Sequence, residues 1–206
     1  MDLNEKQLQI LDIAEKLFAE NGFDATSVRH IAKEADINVA MISYYFGSKE
    51  KLLETLFAHK VADFKLEINQ IVHNEDLDWF EKVDRLVSLL VQRIHKNRRV
   101  HKIINNEYSS NCRNFDIQKF IDRKKENYIL LEKFIKSGQK AGAFTKNVEI
   151  SLIVPTILGT YFYFYYNKKI FHLMYNLDEN SADEFVLTTL NKHVQQTIKA
   201  ILTYEN

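Results

Sequence analysis

A chain of 206 residues with one proline and five glycines has few places to turn sharply. Proline removes a backbone donor and glycine frees φ, so both gather in tight turns and loop-rich folds. Their scarcity directs the chain towards long helices. An apolar fraction of 46%, with 12% aromatic residues, supplies the side chains for a buried core. An all-α fold of about nine helices is expected.

Apolar spacing and capping residues place those helices. The first runs over 5–21, with Leu8, Leu11, Ala14, Leu17 and Phe18 on one face. Asn4 and Gln7 form a capping-box pattern before it, and Gly22 suits its end. A short second helix starts at Thr26 or Ser27, with Val28, Ile31, Ala32 and Ala35 at helical spacing. Ala35-Asp36-Ile37 reads as a tight turn. Asn38 then caps a third short helix that ends near Phe46-Gly47. Ser48 caps a fourth, longer helix burying Leu52, Leu53, Leu56 and Phe57. Further helices are expected over 79–96, 99–110, 116–140, 148–174 and 182–203, the last opened by Ser181 and Glu184 as a second capping box. Residues 150–167 carry no charge, which approaches the lower limit for a membrane span. Pro155, Ser151, Thr156, Thr160 and the crowded tyrosines argue against a span. Pro155 and Gly159 are expected to mark a kink or a close helix crossing.

Cys112 is the sole thiol, so no internal disulfide can form, which fits a reducing cytoplasm. The first ten residues lack the apolar run of a signal peptide. The formal net charge is zero, and over 26–60 five basic residues face four acidic ones. Composition therefore does not point to nucleic acid, and the functional case rests on motif. No Gly-rich phosphate loop, H-E-x-x-H or paired-cysteine pattern occurs, and no two of the seven histidines stand at i, i+4. No catalytic residue, metal or cofactor is expected. The basic runs Lys96-Asn97-Arg98-Arg99 and Arg123-Lys124-Lys125 read as solvated faces or helix ends.

Two short helices joined by a tight turn cannot bury enough surface alone, and they make sense packed on the first helix as a helix-turn-helix. In that arrangement the second helix of the pair enters the major groove while the first braces it. Small Ala32 and Ala35 let the pair cross closely, and Ile37 and Ile42 anchor the turn and the recognition helix from below. The outer face then holds Val39, Ala40, Ser43 and Tyr44, with Asn38 at its start.

Thr26-Ser27-Val28-Arg29-His30-Ile31-Ala32-Lys33-Glu34-Ala35, followed by Tyr44-Tyr45-Phe46-Gly47-Ser48-Lys49-Glu50-Lys51-Leu52-Leu53, resembles the signature of the TetR/AcrR family of transcriptional regulators. Members read close to T-T-V-R-x-I-A-x-x-A-G-V, then Y-Y-F, then S-K-E-x-L-L. The match covers roughly residues 8–57, and Gly138-x-x-x-Gly142-x-Phe144 adds a detail further on. The resemblance implies a DNA-binding domain over 1–47 and a helical ligand-binding and dimerisation domain over 48–206. It implies that Thr26 and Ser27 with the second-helix N-terminus approach phosphate, that Arg29 reaches a phosphate or a guanine edge, and that Lys49 clamps a phosphate. Tyr44 and Tyr45 match the family's aromatic pair, one partly packed and one reaching the DNA backbone. Val39, Ala40 and Met41 offer methyl contacts suited to thymine, and Asn38 or Ser43 offers hydrogen bonds. Two positions depart from the pattern. Asp36 stands where Gly is common because the backbone visits positive φ, and Val39 stands where Lys, Arg or Gln is frequent.

The function implied is a ligand-responsive homodimeric repressor on a palindromic operator. The alternatives are an activator or ligand-independent regulator of the same fold, and a helical protein-interaction module without DNA binding. Dimerisation is expected through the last two long helices, with Tyr163, Tyr166, Leu187, Leu190, Val194 and Ile198 at the interface. Tyr108, Phe120, Tyr128, Phe134, Tyr161 and Phe164 are candidates to line a cavity for an apolar or aromatic effector, with ordinary core as the alternative reading of each.

Overall fold

The computed structural model describes residues 3–109 and 118–204. Among them it contains twelve α-helices and no strand: α1 Glu5–Asn21, α2 Val28–Glu34, α3 Val39–Phe46, α4 Lys49–Lys60, α5 Phe64–Val72, α6 Trp79–Lys96, α7 Arg98–Ser109, α8 Gln118–Lys140, α9 Ile153–Tyr166, α10 Lys168–Tyr175, α11 Glu179–Phe185 and α12 Asn191–Thr203. A single 3-10 turn, Ile150–Leu152, leads into α9, and a π-helical turn, Val186–Leu190, joins α11 to α12. No helix among the described residues is long and apolar enough to cross a membrane.

Side chains cap the first four helices at the expected places. Asn4 and Gln7 form the reciprocal capping box of α1, while Ser27, Asn38 and Ser48 accept backbone N–H bonds at the starts of α2, α3 and α4. Elsewhere the structure corrects the sequence reading. The chain turns at Asp63, φ +64°, and an unanticipated helix, α5, follows. The helix expected over 148–174 is two, broken at Asn167. Pro155 is the third residue of α9, inside the first turn where its missing N–H has no helical partner to lose, so α9 runs on without a break there. A Cβ on Gly159 would meet no atom within 4 Å beyond its own helix backbone, so no close crossing requires glycine there in the protomer. Asp178, not Ser181, caps α11, its Oδ1 accepting the Ser181 N–H at 2.6 Å.

The chain divides into two compact units, Met1–Asp63 with Asn97–Lys125, and Phe64–Lys96 with Glu126–Asn206. In the first, α1 is the spine. Its Ile10, Leu11, Ala14 and Phe18 meet Ile31 of α2, Ile42 of α3, Leu52 and Leu56 of α4, and Val100, Ile103 and Ile104 of α7. Full burial of each such side chain contributes roughly 1.5–3 kcal/mol. Lys60 reaches back to the buried Glu15 carboxylate at 2.8 Å, tying α4 to α1. The sequence boundary at 47/48 thus falls between two helices of one compact unit.

In the second unit α12 lies along α6. Val83, Leu86, Val87, Val91 and Ile94 of α6 belong to one core with Val194, Ile198 and Leu202 of α12 and Ile153, Ile157, Tyr161 and Phe164 of α9. Lys199 pairs with Asp84 at 2.7 Å, and Gln195 donates to the Asp84 carbonyl and the Ser88 hydroxyl at 3.0 Å each. Trp79, Phe134 and Phe144 form an aromatic cluster, with ring centroids 5.6–5.8 Å apart. A Cβ on Gly138 would fall 2.3 Å from the Phe144 ring, so glycine there admits the ring against α8.

Candidate nucleic-acid interface and interior cavity

The turn between α2 and α3 is held from three sides. Ala35 N–H bonds the Ile31 carbonyl at 2.9 Å, Ile37 N–H the Ala32 carbonyl at 3.0 Å, and Gln9 of α1 donates to the Ala35 carbonyl at 3.2 Å. Asp36 takes φ +49°, the left-handed conformation that favours Gly and that Asp tolerates better than most residues. The Asn38 carboxamide oxygen then accepts the Ala40 N–H at 2.9 Å and starts α3, which Gly47 ends at φ +82°.

Helix α3 has a buried underside and an open top. Ile42 and Phe46 enter the core, while Asn38, Val39, Ala40, Ser43 and Tyr44 are exposed and Met41 is half-buried. Tyr44 is 83% exposed, an unusual position for a large aromatic ring. Tyr45 is half-buried, packs on the first unit's core and meets the Tyr44 ring edge-on at 5.2 Å. The Asn38 side chain spends its oxygen on the cap, which leaves its NH₂ group outward; the Ser43 hydroxyl is exposed. Arg29 is exposed and makes no ion pair among the described residues.

Two expected DNA contacts have other work inside the fold. Thr26 is fully buried, its hydroxyl donating towards the carbonyls of Gly22 at 2.8 Å and Leu17 at 3.2 Å. It closes the C-terminal end of α1, where carbonyls lack helical partners, and its side chain is not available to DNA. Lys49 Nζ donates to the carbonyls of Phe23 at 2.9 Å and Thr26 at 3.0 Å, and stands 4.2 Å from the Phe23 ring centroid. Lys49 therefore fastens the start of α4 to the loop before α2, with one N–H left over. Burial pushes the Glu107 carboxyl up, opposed by the nearby Lys49 charge. Glu50 lies below the usual carboxylate range because its own backbone N–H and the Ser48 hydroxyl bond its carboxylate. The Ser27 hydroxyl accepts the His30 N–H at 3.1 Å.

The second unit contains an apolar cavity of about 40 Å³. Phe64 and Ile68 of α5, Val83 and Leu90 of α6, Leu131, Phe134 and Ile135 of α8, Ile153 and Ile157 of α9 and Ile198 of α12 are among its walls, and no polar side chain among the described residues lines it. Of the cavity residues expected from sequence, Phe134 is there. Tyr161 is not: its buried hydroxyl needs a partner and finds His95 Nδ1 at 3.1 Å, while His95 Nε2 lies 3.2 Å from Asp183. Phe164 is not either, its ring lying 5.0–5.2 Å from Phe171 and Phe185. Tyr128 borders a separate open groove. The side chains of Tyr108 and Phe120, like Cys112, lie outside the described residues. Sequence reasoning missed the α5 wall because α5 itself was missed.

The dimer residues also divide. Leu190, Val194 and Ile198 are buried in the protomer's own core, since the apolar stripe of α12 faces that of α6, and they are not free to meet a second chain. Tyr163, Tyr166 and Leu187 are exposed, with Ile170, Leu173, Met174 and Tyr175 of α10.

Residues 10–56 match the family model for bacterial regulatory proteins, tetR family, and residues 80–198 match that for the tetracyclin repressor-like C-terminal domain. The probable HTH-type transcriptional regulator YttP of Bacillus subtilis (strain 168) is 52% identical over 56 residues, 27% of this chain and 25% of that protein. That match thus spans a quarter of YttP. The fatty acid metabolism regulator protein of the same organism is 25% identical over 156 residues, 75% of this chain and 79% of its own. The fatty acid degradation regulator FadR from Bacillus halodurans superposes with a TM-score of 0.75 over 100% of both chains at 24% identity, a likeness of fold. With one model matched across the exposed recognition helix and a second across most of the helical remainder, the chain belongs to the TetR family of bacterial regulatory proteins and is a DNA-binding transcriptional regulator.

Proposed function

We propose that the protein is a homodimeric repressor that binds a palindromic operator through α3 and is released by an elongated apolar effector. The observation that carries the reading is α3 itself, buried on Ile42 and Phe46 and open along Asn38, Val39, Ala40, Ser43 and Tyr44. Methyl groups on that face suit thymine, so A·T pairs are expected beneath it, while Ser27, Arg29, Tyr44 and the spare N–H of Lys49 supply phosphate contacts. One helix reads one half-site, so two copies are required. The apolar surface of Tyr163, Tyr166 and Leu187, extended by α10, is the face assigned to the partner.

The effector assignment rests on the apolar interior of the second unit and on two relatives described as regulators of fatty acid metabolism and degradation. Ligand sites measure roughly 300–1,000 Å³, so a cavity of about 40 Å³ must widen to admit a chain. A ligand that binds only the widened state shifts the protein towards it, and DNA release follows if that state presents α3 wrongly.

The test is titration of the purified protein on the DNA upstream of its own gene. Salt-sensitive, saturable binding is expected, and Tyr44→Ala should weaken it about tenfold with the fold intact, a total loss of roughly 1.4 kcal/mol for the dimer. Absence of any salt-sensitive binding to duplex DNA would overturn the reading in favour of a protein-interaction module.

A further inference from the structure

We propose that the groove between α8 and the segment entering α9 holds the cationic head of an amphiphilic ligand, an alkylammonium, whose apolar tail enters the adjoining cavity. The inference rests on the reading of the second unit as the effector-binding part. The groove has a volume of about 360 Å³ and is bordered on its polar side by Tyr128, Glu132, Glu149 and Ser151. Leu131, Ile135, Ile153 and Val154 line both the groove and the apolar cavity. The shared residues place the two spaces side by side. A chain spanning both would leave its head among the polar residues and its tail among the apolar ones.

The charge of the polar side chooses the head. Two carboxylates line the groove, and among the described residues no Lys, Arg or His does. Lys136 engages Glu132 at 2.6 Å from outside the lining. Glu149 has no such partner among the described residues. Its Oε1 takes both bonds from Ser151, the N–H at 3.3 Å and the hydroxyl at 2.6 Å, and Oε2 accepts none from them. Those bonds from Ser151 also hold the Glu149 carboxyl below its ordinary range, so it is ionised at neutral pH. Tyr128 adds a partly exposed aromatic ring, whose negative face attracts ammonium groups. An aromatic face beside an uncompensated carboxylate favours a cation. A fatty carboxylate or a phosphorylated head would meet like charge at the same place. Glu149 also caps the 3-10 turn that leads into Ile153 and Val154, so an occupant there presses on the start of α9.

The probes are decyltrimethylammonium, decanoate and decanol, used below micelle formation with the full-length protein. Trp79 is the chain's only tryptophan, and its ring lies 5.6 Å from that of Phe134 in the cavity wall, so its fluorescence reports filling of the cavity. The ammonium should bind at least tenfold tighter than decanoate. Glu149→Gln and Tyr128→Leu should each weaken the ammonium about two- to fivefold and leave decanol unchanged. Decanoate binding as tightly as the ammonium, or Glu149→Gln weakening decanol equally, would overturn the inference. If decanoate frees the protein from DNA and the ammonium does not, this inference fails and the effector reading stands. If none of the three binds, both fail.

Discussion

Replacing Lys49 by Met tests whether the structural work of this lysine is as large as its geometry implies. Methionine keeps most of the apolar stem and removes the ammonium. The substitution deletes two charge-assisted bonds, to Phe23 at 2.9 Å and Thr26 at 3.0 Å, and the contact with the Phe23 ring at 4.2 Å. A hydrogen bond to a charged group contributes about 1.5–3 kcal/mol. Lys49 is only half-buried and water can replace it at both carbonyls, so the two bonds together are taken as about 1.5–2 kcal/mol. The ring contact adds about 0.5 kcal/mol. A loss of about 2 kcal/mol corresponds to a fall in Tm of about 4–8 °C for a chain of this size. Thermal unfolding followed by circular dichroism reads that shift directly. A variant melting within about 1 °C of the parent would refute the stapling argument. The salt dependence of DNA binding gives the separate answer on phosphate. If the third N–H touches the DNA backbone, Lys49→Met flattens the slope of log K against log salt by about 0.9 per protomer.

Two further perturbations follow from the packing. Gly138→Ala places a methyl where the Phe144 ring lies, 2.3 Å away, so the ring must leave its cluster with Trp79 and Phe134. Overpacking costs about 1–3 kcal/mol against a helix-propensity gain of about 1. The net loss of up to about 2 kcal/mol should lower Tm by up to several degrees with altered Trp79 emission, and a higher Tm or an unchanged emission contradicts the packing. Burial, with the Lys124 charge second, pulls the His101 imidazole down from its usual 6.5 to about 4. The unfolded chain therefore binds the proton more readily, and stability is full above pH 6.5 and falls as pH drops towards 4. Between pH 7 and 5 the loss is about 2 kcal/mol, and His101→Gln should remove that part of the difference in urea midpoints at the two pH values.

The reading head was legible because its punctuation is chemical. Asn4, Ser27, Asn38 and Ser48 each sit where a helix needs a side-chain acceptor, and Gly22 and Gly47 sit where φ is positive. Further along, the chain turns at Asp63, φ +64°, and breaks at Asn167, φ −106°, and no proline or glycine marks either place. Hence α5 and the separate α10 went unread. Periodicity shows that a helix has an apolar face but not what covers it. The stripe of Val194 and Ile198 fits a partner's helix as well as α6, and only the fold decides for α6. The aromatic run of α9 has the same ambiguity. Tyr161 is claimed by His95, sixty-six residues away, while Tyr163, two positions on, is 66% exposed. Thr26 misled for a related reason: its place in the motif suggests DNA, and the open carbonyls of Leu17 and Gly22 need its hydroxyl.

A net charge of zero looks ill-suited to a polyanion, yet its arrangement resolves the difficulty and fixes a measurable number. From Ile37 to Lys49 the chain contains no carboxylate, so α3 and both its flanks can approach DNA without setting like charges against phosphate. Few cations accompany that face: Arg29, which is free of ion pairs among the described residues, and the spare donor of Lys49. The remaining contacts come from Ser27, Asn38, Ser43 and Tyr44, which are neutral and release no counterions. Two cations per protomer give about four per dimer, and hence a slope of log K against log salt near −3.6. A regulator that relied on a basic surface would show a slope near −10. Binding isotherms on one operator fragment across roughly 50–200 mM salt measure it. A slope steeper than about −7 would mean that basic residues outside the helix-turn-helix carry much of the affinity, and the assignment of recognition to α3 and its flanks would have to be abandoned.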